Sequence, residues 1–398
     1  MQYYTLKEVC EINPSKQIDL SLDDRISFVP MDSVSVRGDI DTSKSISVSS
    51  IKSYSIFREG DVLFAKITPC MENGKGCIAH GLLNAYGAGS TEFIVLRPNS
   101  QLLTNKWLYY FLSQQNFRQE CKQHMTGSAG QKRVPPKYLG ICSIPVPSIA
   151  EQRRIVARIE ELFSQLDDAE ATLQKTKAQL VLYRQAVISS AYPDVPQEEW
   201  VRLDSIAEII GGITKGRDLT GQKTVELPYL RVANVQNGFL DLSVMKTIEL
   251  KESEKEHYLL KEGDVLYTEG GDRDKLGRGT VWHGEIPECV HQNHVFKARL
   301  QQDRALPDYV AYWSMSTYAR NYFYEKGKQS VNLASINKTV LSALKIPLPS
   351  LEEQQYIISE IEMRLSVCGN IEQTINTVFL QVLSIKQSML AHAFKGDL

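Results

Sequence analysis

A chain of 398 residues, 42% hydrophobic and 23% charged, has an ordinary globular composition and is long enough for two or three domains with separate cores. A net charge of −2 excludes a strongly basic chain that grips polyanions unaided, and no apolar run approaches the roughly 18 residues that cross a bilayer. The first residues form no basic-then-apolar signal segment, and the seven cysteines make no Cys-x-x-Cys pair, so a reducing cytoplasm is the expected location and no membrane is expected as a partner.

In chain order, residues 1–147 read as a first globular domain of mixed α and β character. Short β-type runs fall at 26–30, 61–65 and 93–97, punctuated by Gly, Asn and Pro. An aromatic helical stretch at 107–112 suits a core-facing helix better than a stack for bases. The segment after the 61–65 strand carries Lys66, Thr68, Glu72, Asn73 and Lys75 before a glycine-rich turn. These side-chain types can pair with guanine, cytosine or adenine edges. Ser90 and Thr91 sit in a similarly polar segment before the 93–97 strand. Lys132, Arg133 and Lys137 are candidate phosphate contacts, which position a protein without reading sequence. A flexible surface loop is the competing reading for each.

Residues 148–192 read as a long helix. Pro145 and Pro147 hold the chain extended, and Ser148 with Glu151 has capping-box spacing. Ile159, Leu166, Leu173, Leu180 and Val187 recur every seven residues, with Ile155 and Leu162 on the complementary row, which predicts a coiled-coil seam weakened at Thr176. Pro193 ends it.

Residues 193–349 repeat the globular pattern, with strands expected at 229–232, 264–267 and 295–298 and an aromatic helix at 309–313. Its candidate reading loop holds Glu269, Arg273, Lys275 and Arg278. His291 and Asn293 lie before the last strand, and Lys326 and Lys328 are candidate phosphate contacts. Residues 350–398 form the second long helix, capped by Ser350 and Glu353, with Ile357, Ile361, Ile371, Ile375, Val378, Val382 and Ile385 in the seam and Arg364 and Cys368 as its weak points.

The two halves match in detail. Residues 144–152 (IPVPSIAEQ) return at 346–354 (IPLPSLEEQ), and 58–64 (REGDVLF) at 261–267 (KEGDVLY). A duplicated domain followed by a duplicated helix predicts a pseudo-twofold internal repeat. The two stripes then satisfy each other as an antiparallel coiled coil about 60 Å long with a globular domain near each end. Such symmetry suits duplex DNA.

Motifs for catalysis are missing. There is no phosphate loop of the GxxxxGK type, no His-Glu-x-x-His and no Asn-Pro-Pro-aromatic loop for a flipped base. Asp241, Glu249 and Lys251 have a nuclease-like spacing, but they lead into a charged run that reads as solvated surface. Cys289, His291 and His294 offer three zinc ligands without a fourth nearby. Neither set is read as a metal site, and no catalytic residue is assigned.

The ordered, doubled set of domain, IPxPSxxEQ helix, domain and IPxPSxxEQ helix resembles the specificity subunit of type I restriction–modification enzymes over essentially the whole chain. The helix endings 182–187 (LYRQAV) and 384–390 (SIKQSML), and the segments 67–75 (ITPCMENGK) and 89–93 (GSTEF), are similar to that family. The resemblance implies an α+β fold with two target-recognition domains separated by two long helices. It also implies a non-catalytic subunit that reads bipartite double-stranded DNA, one half-site per domain. Two methylation subunits, with S-adenosylmethionine, would gather around its helices, and restriction subunits using ATP and Mg would join for cleavage. No cofactor is expected on this chain.

Overall fold

The computed structural model describes residues 2–128, 130–193, 196–329 and 334–397. The chain divides into two compact units, Met1–Thr172 with Thr377–Leu398, and Leu173–Asn376.

The first unit opens with β1 (Gln2–Thr5), α1 (Leu6–Val9) and β2 (Cys10–Ile12). Strands β3 (Arg25–Val29), β4 (Ser45–Ser47), β5 (Ser55–Arg58), β6 (Val62–Ala65), β7 (Gly76–Ile78), β8 (Tyr86–Gly89) and β9 (Phe93–Pro98) follow. Helices α2 (Asn105–Leu112), α3 (Gln115–Gln123) and α4 (Pro136–Ile141) and strand β10 (Ser143–Val146) lead into the long helix α5 (Ile149–Ser190). One antiparallel sheet has the order β2-β9-β6-β7, and a second, mixed sheet has the order β4-β3-β8-β5. The central strands are buried on both faces because alternate side chains enter different cores. Val62, Phe64, Ile94 and Leu96 pack with Trp107 and Leu108 of α2, whereas Leu63, Ala65, Phe93 and Val95 pack with Phe57 on the other side.

The second unit repeats this plan. It contains β11 (Val201–Arg202), β12 (Ala207–Gly211), β13 (Thr224–Leu230), β14 (Lys246–Lys251), α6 (Lys255–Tyr258), β15 (Val265–Thr268), β16 (Gly270–Gly271) and β17 (Gly279–Val281). Then come β18 (Val290–His291), β19 (Val295–Leu300), α7 (Pro307–Met315), α8 (Thr317–Lys326), β20 (Lys328–Gln329), β21 (Ala334–Ser335), α9 (Lys338–Ser342), β22 (Lys345–Ile346) and the second long helix α10 (Leu351–Lys395). The sheet order β12-β19-β15-β17 matches β2-β9-β6-β7, and β14-β13-β18 matches β4-β3-β8.

The repeated Glu-Gly-Asp turn has a physical cause. Gly60 and Gly263 stand at φ +87° and +86°, a left-handed backbone that glycine alone takes freely. The following carboxylate closes each turn: Asp61 accepts from Arg58 N, and Asp264 from Lys261 N, both at 2.8 Å. Each is also gripped by an arginine on the neighbouring strand, Arg97 and Arg299 respectively, at 2.7 Å.

Within each unit the long-helix segments run antiparallel. In the first, Lys386 of α10 reaches Asp167 and Glu170 of α5 at 2.7 and 3.5 Å, and the Phe394 ring packs 4.4 Å from Trp107. In the second, Lys177 donates to Asn376 at 3.0 Å, Arg184 meets Glu372 at 3.0 Å, and Ile188 shares a core with Ile357, Ile358 and Ile361. Ile155, Ile159, Val187, Ile357, Ile361, Ile375 and Val382 are buried, and Leu162, Leu166, Leu173, Leu180 and Val378 are half-buried. Two seam assignments need correction: Ile371 and Ile385 are 40% and 42% exposed. A straight helix drifts by about 20° per heptad against a seven-residue repeat, so one row stays covered while its companion rotates outward. Cys368, an expected weak point, is buried within the covered row. Ser148 and Ser350 do cap the helices, each accepting from the backbone at 3.3 Å, but the Glu151 carboxylate turns to Arg154 and leaves that capping box half made.

Candidate nucleic-acid interface

In the first unit, three segments meet just beyond the end of β6. Lys66 N donates to Glu92 O, Val134 N donates to Lys66 O, both at 2.9 Å, and Thr68 N donates to Lys132 O at 3.0 Å. Arg133 forms β-bridges with both Ile67 and Thr126. This backbone frame gathers Lys66, Thr68, Ser90, Thr91, Lys132 and Arg133, although they lie up to 67 positions apart. The Arg133 guanidinium clasps Glu92 through two bonds of 2.9 and 3.0 Å, and this partner raises the arginine's pKa further. Ser90 Oγ accepts from Glu92 N at 3.2 Å, steadying the same turn.

Two candidates serve the frame instead. Thr68 donates its hydroxyl to Glu72 at 2.8 Å, while the second carboxylate oxygen of Glu72 is buried without a hydrogen-bond partner, so this side chain is not presented to a ligand. Lys75 turns back, its ammonium 3.0 Å from the Met31 carbonyl and 3.8 Å from Asp32. Asn73 is exposed on the loop between them.

In the second unit, the corresponding bonds recur: Glu269 N donates to His294 O at 2.9 Å, and Ile336 N to Glu269 O at 2.8 Å. Ser335 pairs with both Gly270 and Lys328, as Arg133 does with Ile67 and Thr126. By this register Glu269 stands where Lys66 stands, His294 where Glu92 stands and Ser335 where Arg133 stands. His294 Nδ1 lies 2.6 Å from a Glu269 oxygen. Around the cluster, Arg273 lies over the Tyr324 ring at 4.2 Å, Lys275 pairs with Asp272, and Arg278 donates to Gln236 at 3.0 Å. Lys326 and Lys328 are exposed.

His291 is a correction. It belongs to β18, is fully buried, and its Nδ1 is 2.6 Å from the Val295 carbonyl. Loss of water pushes its pKa down to about 3, so it is neutral and cannot meet a DNA chain. Asn293 is half-buried, with its backbone N–H on Ile213 O at 2.9 Å. Members of the weighed metal sets have other engagements: Asp241 is bonded to Ser243, Glu249 to Thr224 and His294 to Glu269, and Cys289 is buried. No group of three or more His, Cys, Asp and Glu residues among the described residues could hold a metal ion. Among those residues no helix is long and apolar enough to cross a membrane.

Sequence reasoning passed over Glu92 and Ser335 as individual residues and weighed His294 only as a zinc ligand. The signal was available in the repeat offset of 202, which aligns Glu92 with His294 and Arg133 with Ser335.

Comparison with known proteins bears on the family and the fold. The sequence model of one family, described as the type I restriction modification DNA specificity domain, matches residues 1–179 and again 197–378. The chain is 26% identical over 478 residues to the EcoAI type I restriction enzyme specificity subunit of Escherichia coli, covering 94% of this chain and 79% of that one. It is 27% identical to the EcoKI specificity subunit of Escherichia coli strain K12, covering 76% and 68%. Among solved structures, a chain from a study of complex assembly and conformational transition of the type I R-M system matches all of this chain with a TM-score of 0.77 at 22% identity. The HsdS subunit from Thermoanaerobacter tengcongensis matches with a TM-score of 0.58 at 20% identity. At these identities the structures establish the fold.

Proposed function

We propose, for a chain that belongs to the type I restriction–modification DNA specificity family, that each of its two units reads one half of a bipartite duplex target. The observation that carries this reading is the pair of backbone frames just described. Each frame closes with the same bonds, yet presents Lys66, Glu92 and Arg133 in one unit and Glu269, His294 and Ser335 in the other. Equal frames with unequal polar side chains suit unequal half-sites. Lys132, Lys326 and Lys328 supply phosphate contacts beside them.

The long helices supply a docking surface for partners. Val181 and Leu182 on α5 and Leu380 and Leu383 on α10 are exposed, Leu182 and Leu380 by 71% and 70%. Such exposed apolar pairs, one in each unit, fit protein partners. We assign these surfaces to two methylation subunits, with restriction subunits joining the assembly. The chain itself is read as non-catalytic and free of cofactors. S-adenosylmethionine belongs on the methylation subunits, and ATP and Mg act with the restriction subunits, all in the cytoplasm.

The test is to assemble the chain with its methylation subunits, supply S-adenosylmethionine, and map methylated adenines on DNA of random sequence. A two-part asymmetric motif is expected, with binding that weakens steeply as salt rises. Methylation without sequence preference would overturn the reading.

A further inference from the structure

We infer that residues 66, 92 and 133 in the first unit, and 269, 294 and 335 in the second, are matched specificity-determining triads of opposite polarity. The first takes the acceptor edge of guanine, and the second takes the exocyclic amino group of adenine or cytosine. This deepens the DNA-reading function proposed above and rests on it.

The positional match is set by hydrogen bonds, independent of side-chain identity. Lys66 N to Glu92 O and Glu269 N to His294 O are both 2.9 Å, and the bonds from Val134 N and Ile336 N to the same two residues are 2.9 and 2.8 Å. On this common frame every position changes its charge or hydrogen-bonding character. A cation at 66 becomes a carboxylate at 269, a carboxylate at 92 becomes an imidazole at 294, and a guanidinium at 133 becomes a hydroxyl at 335.

Each unit then uses an internal pair to hold its reading group still. Glu92 engages Arg133 Nε and one terminal nitrogen, and the Gln131 carbonyl takes the other at 2.8 Å. Three of the five guanidinium N–H bonds are thereby satisfied and two remain to donate. With Lys66 tied through its backbone to Glu92 and Val134 on the flanking segments, the first triad carries two cationic donors, which complement guanine O6 and N7. In the second unit His294 Nδ1–H donates to one oxygen of Glu269, leaving the other to accept. A carboxylate on a DNA-facing surface is repelled by phosphates. It gains only where an amino group offers a proton, as cytosine N4 and adenine N6 do in the major groove. Side chains pinned in advance lose less freedom on binding, which sharpens discrimination.

The experiment uses the assembled methyltransferase complex and a DNA pool randomised across both half-sites, read out by adenine methylation and sequencing. E269K should change only one half of the motif: one position there should lose its adenine or cytosine preference by about tenfold or more and turn toward guanine. K66E should act on the other half alone, weakening a guanine by a similar factor. If E269K fails to assemble, E269Q keeps the shape, removes the charge and should relax the same position. Assembled variants whose two half-site preferences match the wild type, or a change in both halves at once, would overturn the triads while the DNA-reading function stands. A wild-type complex without any two-part motif would overturn both.

Discussion

Gln152 and Gln354, 202 positions apart, are both fully buried and make the same three hydrogen bonds, each within its own unit. Gln152 accepts from Thr104 N at 2.9 Å and donates to the Leu102 and Pro147 carbonyls at 2.8 and 2.9 Å. Gln354 accepts from Leu306 N at 2.8 Å and donates to the Arg304 and Pro349 carbonyls at 3.0 and 2.9 Å. A single amide therefore ties the first turn of each long helix to the loop entering its aromatic helix.

Replacing either glutamine with leucine keeps the volume but strands an N–H and two carbonyls. At roughly 1–3 kcal/mol for each buried unpaired group, partly relieved by relaxation, the loss should be about 2–5 kcal/mol. Urea unfolding of the full chain would measure it, and the two variants should cost similar amounts. A loss under half a kilocalorie in both would remove the glutamines as clamps.

The Asp61–Arg97 and Asp264–Arg299 pairs should behave alike. The aspartates are buried while the arginines are about a quarter exposed. Arg299→Met leaves Asp264 buried without its main countercharge and should destabilise by about 3 kcal/mol, whereas the reading loops of the other unit should be untouched. Denaturation midpoints together with the methylation motif would separate these two effects.

His291 should make the second unit acid-sensitive. Its folded pKa, about 3, lies below the ordinary 6.5, held down first by burial, against the opposing hydrogen bond to the Val295 carbonyl, and then by the Lys297 and Arg299 cations nearby. Between pH 6.5 and 3 the unfolded chain binds a proton that the folded unit refuses, so stability falls as pH falls, by about 1.4 kcal/mol per pH unit from this group. Comparing urea midpoints at pH 7 and pH 5 for the wild type and His291→Gln should show a difference of about 2 kcal/mol. Equal pH slopes would clear His291 of this role.

Buried and exposed positions of α10 should separate folding from assembly. Ile361 is fully buried, and Ile361→Asp should unfold the second unit by placing a charge in its core, at a cost of several kcal/mol. Leu380→Asp, at a position 70% exposed, should leave the unfolding midpoint of the chain nearly unchanged and weaken capture of the methylation subunits. Size-exclusion chromatography of the mixed subunits would decide; unaltered assembly by Leu380→Asp would move the docking surface elsewhere.

Exchanging residues 198–345 for those of a relative should alter one half of the methylated motif and preserve the other. Methylation mapping on random DNA reads this directly, and a change in both halves would end the modular view.

Much of this molecule was legible beforehand. The repeat, the two serine-capped helices, the Glu-Gly-Asp turns and the central strands are specified by residues a few positions apart, where caps, glycine backbone and hydrophobic period act locally. Tertiary structure decided what no window contains. It turned Ile371 and Ile385 outward because helix drift and the width of the packed seam select which heptad row is covered. It buried His291 inside a polar-looking run because strand pairing with β13 carried that residue under the sheet. It brought residues 66, 92 and 133 to one edge through backbone bonds across long sequence separations, and set 269, 294 and 335 on the same frame. Side-chain type is chosen locally, but which side chains become neighbours depends on strand register, and register is settled only when both cores close.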